Sequence, residues 1–360
     1  CRVCLLASAA YALATHDFRN FEDKHIPDYL AAFAVKPHSP GLFSFLGPEV
    51  PDRHATLYGT TDMVFTLVTT GQLNASTSER DAWASVINSF QQPDGTFKTI
   101  EAEKIAGYQP WHASAYALAA LKLLNRTARF PPRWALEVAD GGEAVWNTTF
   151  APLLRPSKKM KLNGFWESSH KLVAIPAALM MSGLRANYTD MFDWLYDLLR
   201  QHVDQDNGFW CADKSWCERG SINAMGGSFH VFMLQHVDKQ NLVDPQAIFN
   251  ATLALQSSNG LWDPHKKISY CIDMDGTFSV VRASLQQGKS QWPQVRAMCD
   301  RYLAEAAHIL NTPLRFLPYL VESHFLPGAV AAVAVCQQQF PDLVVTNRPW
   351  VLPIDTVPYI

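Results

Sequence analysis

No stretch of this chain concentrates charge of one sign. Its 30 Lys and Arg against 33 Asp and Glu leave a formal charge of -3, and without a basic block there is no electrostatic footprint for nucleic acid or an anionic membrane surface. Long apolar runs are missing too. The longest run of small apolar residues, GAVAAVAVC at 328–336, is far shorter than the roughly 20 residues that span a bilayer, so neither a nucleic-acid partner nor a membrane span is expected. The sequence has no P-loop, no dinucleotide-binding glycine fingerprint after a strand and no Gly-x-Ser-x-Gly elbow, which turns the reading away from nucleotide-dependent roles. Stretches rich in β-formers are absent as well, and the closing VLPIDTVPYI has too much proline for a central strand.

What is present is enough apolar matter for one large core or two modest ones: 48% hydrophobic and 12% aromatic over 360 residues. Five N-x-S/T acceptors, at Asn74, Asn125, Asn147, Asn187 and Asn250, exceed the roughly two that chance would give and are expected glycosylation sites. Of the seven cysteines, Cys211 and Cys217 flank the polar loop ADKSW, the kind of segment a local disulfide closes in an oxidising compartment. Cys299 and Cys336 lie on apolar helical faces, as packing thiols or as partners of each other. The opening CRVCLLASAAYALATH has Arg2, an apolar stretch and small residues before Thr15; residues 1–14 read as the remnant of a signal peptide, or else as the first buried helix of a truncated chain. The expected compartment is extracellular or the lumen of the secretory pathway.

One phrase recurs with variations: QQPDGTF (91–97), DQDNGFW (204–210), QSSNGLW (256–262) and IDMDGTF (272–278). Each has Asp or Asn before Gly and an aromatic within two residues after it. Gly supplies the positive φ of a reversal while the aromatic plugs the gap between successive units, and Gln92 and Gln256 are placed to bond exposed backbone groups at helix ends. Between the phrases, two kinds of helical segment alternate. SERDAWASVINSF (78–90), YTDMFDWLYDLLRQHV (188–203), DPQAIFNATLALQ (244–256) and QWPQVRAMCDRYLAEAAHIL (291–310) place apolar residues at three and four spacings with charges between, as an outer layer does. Asp244-Pro245 is a helix start on two counts, a capping side chain followed by a proline that loses nothing in the first turn. Six other segments are apolar nearly all round and open on Asp62, His112, His170, His230, Asp273 and His324; such helices belong inside. Their starts recur every 43 to 60 residues, about one helical hairpin each. The expected fold is all-α, an α/α toroid of about six hairpins in one domain from residue 15 to 360, with an irregular tail from about 341.

Helical hairpins punctuated by Gln-rich, Gly-aromatic turns resemble the terpenoid cyclase and protein prenyltransferase superfamily, QQPDGTF and QSSNGLW being similar to its Gln-to-Trp repeat turns. The resemblance covers architecture over roughly residues 55–340. It implies a toroid and assigns no activity, since one fold hosts unrelated chemistries.

In a toroid the first residues of the inner helices converge at one end. That brings Asp62, His112, His170, His230, Asp273 and His324 around a cavity, with Glu167, Asp275 and Glu322 close by. Three enzyme readings follow. The prenyltransferase resemblance implies zinc, for which the chain offers Cys271, Asp273 and His324, with Cys before Asp where the family has Asp-x-Cys. The cyclase resemblance implies an Asp-x-Asp-Asp acid, with Gly276 standing where the last Asp would be. Carboxylate chemistry needs neither. Asp62, Glu167, Asp273 and Asp275 around Trp111, Trp166, Tyr58 and Tyr116 would supply an acid and a base if their surroundings separated their pKa values, an arrangement similar to the six-hairpin glycoside hydrolases and lyases. A non-catalytic binding toroid is the fourth reading, similar to the thioester domains of complement-like proteins, though their Cys-Gly-Glu-Gln string is absent. The reading taken here is an enzyme acting on a small-molecule or saccharide ligand. In it Asp273 or Asp275 serves as acid or base with Glu167, and His170 and His230 as relays or donors. Asp62, His112, Tyr116, Trp111, Trp166 and His324 hold the substrate, and Asp273→Asn is expected to abolish turnover without unfolding.

Overall fold

The computed structural model describes residues 15–36, 39–51, 53–73, 75–100, 110–154, 164–211, 221–263 and 267–360; residues 1–14, and with them the expected leader, lie outside the described residues. The chain is mostly helical, an all-α protein. A two-residue parallel pair, β1 (His16–Asp17) on β2 (Val344–Val345), is the only sheet among the described residues. The main helices are α1 (Ile26–Phe33), α2 (Leu57–Thr69), α3 (Thr77–Ser89), α4 (Pro110–Leu123), α5 (Arg133–Asp140), α6 (Gly142–Leu154), α7 (Gly164–Met181), α8 (Thr189–His202), α9 (Ser221–Val237), α10 (Pro245–Ala254), α11 (Cys271–Gln286), α12 (Trp292–Asn311) and α13 (Phe325–Gln339).

Two classes of helix separate by burial. In α13 every residue from Leu326 to Gln337 is buried, and α2 and α4 are nearly as fully enclosed. By contrast α12 buries Val295, Met298, Cys299, Tyr302, Leu303, Ala306, Ile309 and Leu310, the three-and-four spacing of a single face. Each enclosed helix packs on two others: α2 on α4, α4 on α7, α7 on α9, α9 on α11, α11 on α13, and α13 on α2. The one-faced helices lie against this set, α3 on α2 and α4, α5 and α6 on α7, α10 on α11, and α12 on α11 and α13. Small residues bring the enclosed helices close. A Cβ on Gly328 of α13 would stand 2.4 Å from the backbone nitrogen of Cys271 on α11. Cys299 and Cys336 face each other where α12 meets α13 and remain free thiols.

Helix ends obey local rules. Asp244 caps α10, its Oδ1 accepting from the Ala247 N–H at 2.9 Å ahead of Pro245, and Ser76 with Glu79 forms a reciprocal capping box on α3.

Three of the four repeated phrases are turns, with Gly95, Gly208 and Gly260 at φ +85, +73 and +93. After each, the amide of a buried aromatic is received by the next enclosed helix: Phe97 N–H by Ser114 Oγ (2.9 Å), Trp210 N–H by Ser228 Oγ (3.0 Å) and Trp262 N–H by Asp273 Oδ1 (2.8 Å). The fourth phrase, IDMDGTF, is not a turn. It lies within α11, where Gly276 is helical and leaves room for the Trp262 ring, 2.3 Å from where a Cβ would be. Both expected glutamines bond backbone groups at helix ends: the Gln92 amide donates to Phe90 O at the cap of α3, and that of Gln256 to Gly260 O and Met298 O, while Gln91 reaches Gly95 O and Phe130 O.

The tail from 341 carries only short 3-10 turns and the strand β2, yet much of it is core. Leu352, Ile354, Val357 and Tyr359 are buried. Trp350 donates its amide to Gln337 of α13, Val351 donates to the Thr69 carbonyl of α2, and Asp355 pairs with His236 of α9 at 3.0 Å. At its start, buried Glu22 accepts from the Asn347 amide and the Trp350 indole.

Candidate functional site

A cavity of about 520 Å³ opens among the enclosed helices, lined by residues from their caps to their middle turns, within the size range of small-ligand sites. Helix α4 contributes His112 and Tyr116; α7 contributes Trp166, Glu167 and His170; α9 contributes His230; α11 contributes Cys271 and Asp275; and His324 precedes α13. Residues more than two hundred positions apart are thus brought together, though from different depths: His324 is at the cap of α13 and His112 is in the first turn of α4, whereas α7 begins six residues before His170 and α9 nine before His230, so these two do not open their helices as expected.

The imidazoles are neighbours. Ring centroids of His112 and His170 are 4.4 Å apart, and those of His170 and His230 are 4.7 Å apart. Burial pushes all three down, His230 to about 3 and the other two well below the ordinary value, with neighbouring imidazoles adding to the shift for His112 and His170. All three are therefore neutral near pH 7. The Ser169 hydroxyl gives its one hydrogen to Trp166 O at 2.7 Å, so at 2.8 Å from His230 Nδ1 it can only accept. His230 accordingly carries its proton on Nδ1. His112 Nδ1 bonds the Tyr58 hydroxyl.

Asp62 lies beneath the cavity, fully buried, and accepts from Tyr116 OH (2.9 Å), Ser323 Oγ (2.5 Å) and His324 Nδ1 (2.8 Å). A carboxylate takes no part as donor, so His324 holds its proton on Nδ1 and its basic nitrogen is Nε2. Asp275 is different. It is 2% exposed, its Oδ2 has no partner among the described residues, and burial, then the neighbouring Asp273, pushes its carboxyl well above the ordinary range. Its surroundings favour the uncharged carboxylic acid over the carboxylate. Gly226 lets it in: a Cβ there would lie 3.1 Å from Asp275 Oδ2 and 3.0 Å from the Trp166 ring.

Several sequence-derived candidates fall elsewhere. Asp273 is not at the cavity; its Oδ1 accepts from Trp262 N–H and its Oδ2 from Tyr270 N–H at 3.0 Å, which makes it the counterpart of Ser114 and Ser228 in the repeated joint. Burial lifts its carboxyl to about 7, against those two amide bonds. Trp111 packs on Trp134 at 5.0 Å with the Lys171 ammonium over its ring, outside the cavity lining. The zinc set consequently breaks up. Cys271 and His324 line the cavity while Asp273 is turned to the joint, and among the described residues no group of three or more His, Cys, Asp or Glu is spaced to hold a metal. Cys217 and Asn74 lie outside the described residues, so the pairing with Cys211 and the first sequon stay expectations; Asn125, Asn147, Asn187 and Asn250 are all exposed.

Sequence reasoning missed Ser169 and Tyr359. The first had a signal, a pair of serines beside His170 at the head of an otherwise apolar helix. Tyr359 had none: it sits at the end of the non-periodic tail, 5.3 Å from the His112 ring and stacked on His230 at 6.2 Å. No protein-family model, no curated protein and no solved structure matches this chain.

Proposed function

We propose that the chain is an α/α toroid of the terpenoid cyclase and prenyltransferase kind in architecture, and an enzyme whose cavity carries out general acid–base chemistry on a carbohydrate. The order of helix contacts, which runs α2, α4, α7, α9, α11, α13 and back to α2, supports the ring. Asp275 is the proton donor, and His324, oriented by Asp62, is the base. The single observation behind these roles is that one cavity holds a carboxyl whose uncharged form burial favours, with an oxygen left unbonded, and an imidazole fixed by a buried carboxylate. Environments that separate two groups in this way define an acid and a base. Trp166 offers an aromatic wall on which a sugar ring can pack, whereas the Tyr116 ring is stacked against Phe65 and Tyr58. The exposed sequon asparagines and the Cys211–Cys217 loop support a secreted, glycosylated, disulfide-closed protein.

The experiment is a screen of the secreted protein against neutral and acidic polysaccharides, following new reducing ends for hydrolysis and unsaturated ends for elimination. With a substrate in hand, Asp275→Asn and His324→Gln should each lower kcat by about 10²–10⁴-fold. An unchanged kcat in Asp275→Asn removes that residue from the mechanism, and a screen without turnover removes the enzyme reading.

A further inference from the structure

Ser169 and His230 stand outside the acid–base pair, and their hydrogen bonds fix one tautomer. With its own hydrogen given to Trp166 O, the Ser169 hydroxyl accepts from Nδ1–H of His230, which leaves the lone pair of that ring on Nε2. His230 is 5% exposed and lines the cavity. Its Nε2 is not one of the enclosed orphans, as His170 Nδ1 is, and so has surface there. Burial holds the ring neutral, with a pKa of about 3, and a neutral imidazole whose one hydrogen is already engaged offers a ligand only an acceptor. Gly226 sets what adjoins it. It stands one turn before His230 on the same face of α9, a spacing that separates Cβ positions by about 5–6 Å. A Cβ on Gly226 would meet the Trp166 ring at 3.0 Å and Asp275 Oδ2 at 3.1 Å, so the aromatic wall, the acid and the imidazole are neighbours.

We propose that His230 is a fixed hydrogen-bond acceptor for a hydroxyl of the saccharide that packs on Trp166, and that Ser169 is its positioning residue. This replaces the relay or donor role expected of His230 from the sequence. An unprotonated Nε2 takes the hydrogen of a sugar hydroxyl, whereas a carboxylate or phosphate oxygen that carries no hydrogen meets it lone pair to lone pair. The acceptor deepens the carbohydrate reading of the same cavity and rests on it for the class of ligand.

The full chain labelled with 15N-histidine reports the tautomer, and His230→Phe identifies the signal by its loss. Wild type should show a protonated Nδ1 and a bare Nε2 from about pH 5 to 8; Ser169→Ala, which takes away the acceptor at Nδ1, should move the proton towards Nε2. For binding, methyl β-D-glucoside, methyl α-D-mannoside and methyl β-D-xyloside are titrated in turn, each beside its monodeoxy analogues. At least one glycoside should move the His230 Nε2 signal. One of its deoxy analogues should bind wild type about 5- to 10-fold more weakly than the parent, the effect of one neutral hydrogen bond, with no such difference in His230→Phe. Ser169→Ala should weaken the parent by a similar factor, and it carries the same comparison if His230→Phe does not fold. The proposal falls if the wild-type ring holds its proton on Nε2, if no glycoside moves the His230 signal, or if the deoxy analogues lose as much affinity in the variants as in wild type. Hydroxyl-dependent binding at His230 by a protein that turns over no polysaccharide keeps the acceptor and sinks the acid–base reading. Turnover abolished by Asp275→Asn, with KM unaltered by both His230→Phe and Ser169→Ala, does the reverse.

Discussion

Asp273 and Asp275 are two positions apart on one helix and have opposite surroundings. The first has both oxygens bonded to backbone N–H groups; the second has an oxygen with no partner and faces the cavity. In the sequence they look alike, since an Asp near a helix start serves as a structural acceptor or a reactive group with equal ease. Only the position of Trp262, which arrives from the preceding turn, separates them. The histidines were legible as a set, one to each of four enclosed helices, and the structure gathers all four at one cavity, but not at equivalent positions: they range from the cap of α13 to the third turn of α9. The pH dependence of stability tests the state of Asp275. Its folded pKa lies above the ordinary carboxylate value, so the stability it contributes is complete below about pH 4 and is lost as pH rises. Asp275→Asn removes that loss. Measured by thermal unfolding from pH 4 to 8, the stability of the variant relative to wild type should climb with pH, by at most about 1.4 kcal/mol per unit. The depressed imidazoles act in the other sense, losing stability as pH falls below about 6.5, but they are common to both proteins and cancel in the difference. A flat difference would mean that Asp275 is ionised when folded and is no proton donor.

At the scale of elements, the joint between hairpins repeats a donor–acceptor pair rather than a sequence. Phe97, Trp210 and Trp262 deliver their amides to Ser114, Ser228 and Asp273; the acceptor changes type while its job stays the same. Ser114→Ala, Ser228→Ala and Asp273→Asn should each cost about 1–3 kcal/mol by leaving a buried amide unsatisfied or facing another donor. Denaturant titration measures that cost, and kcat should hold in all three; a loss of kcat at full stability in Asp273→Asn would restore it to the chemistry. Enclosed and one-faced helices could be told apart from sequence because the period of apolar residues reports how many sides are covered. The fourth phrase misled because Asp-Gly also occurs inside a helix when a large ring, here Trp262, needs the space of the missing side chain.

For the whole molecule, the least legible part is the tail. Its burial comes from contacts with α2, α9 and α13, which are far away in sequence, and no local periodicity announces such contacts. Deleting residues 346–360 should remove Leu352, Ile354, Val357 and Tyr359 from the interior and leave apolar helix faces wet. The expected result is dye binding typical of a loosened core and loss of a sharp thermal transition; a truncated protein that melts cooperatively at the wild-type temperature would show that the tail is dispensable.

The pairing of His16–Asp17 with Val344–Val345 joins segments more than three hundred positions apart, and the buried residues that follow it, Leu352, Ile354, Val357 and Tyr359, are made after the helices they cover. Nascent helices must therefore wait, with their inward faces uncovered, until that stretch clears the ribosome. Contacts so distant along the chain form slowly. Until they form, apolar helix faces stay uncovered and aggregation competes with assembly.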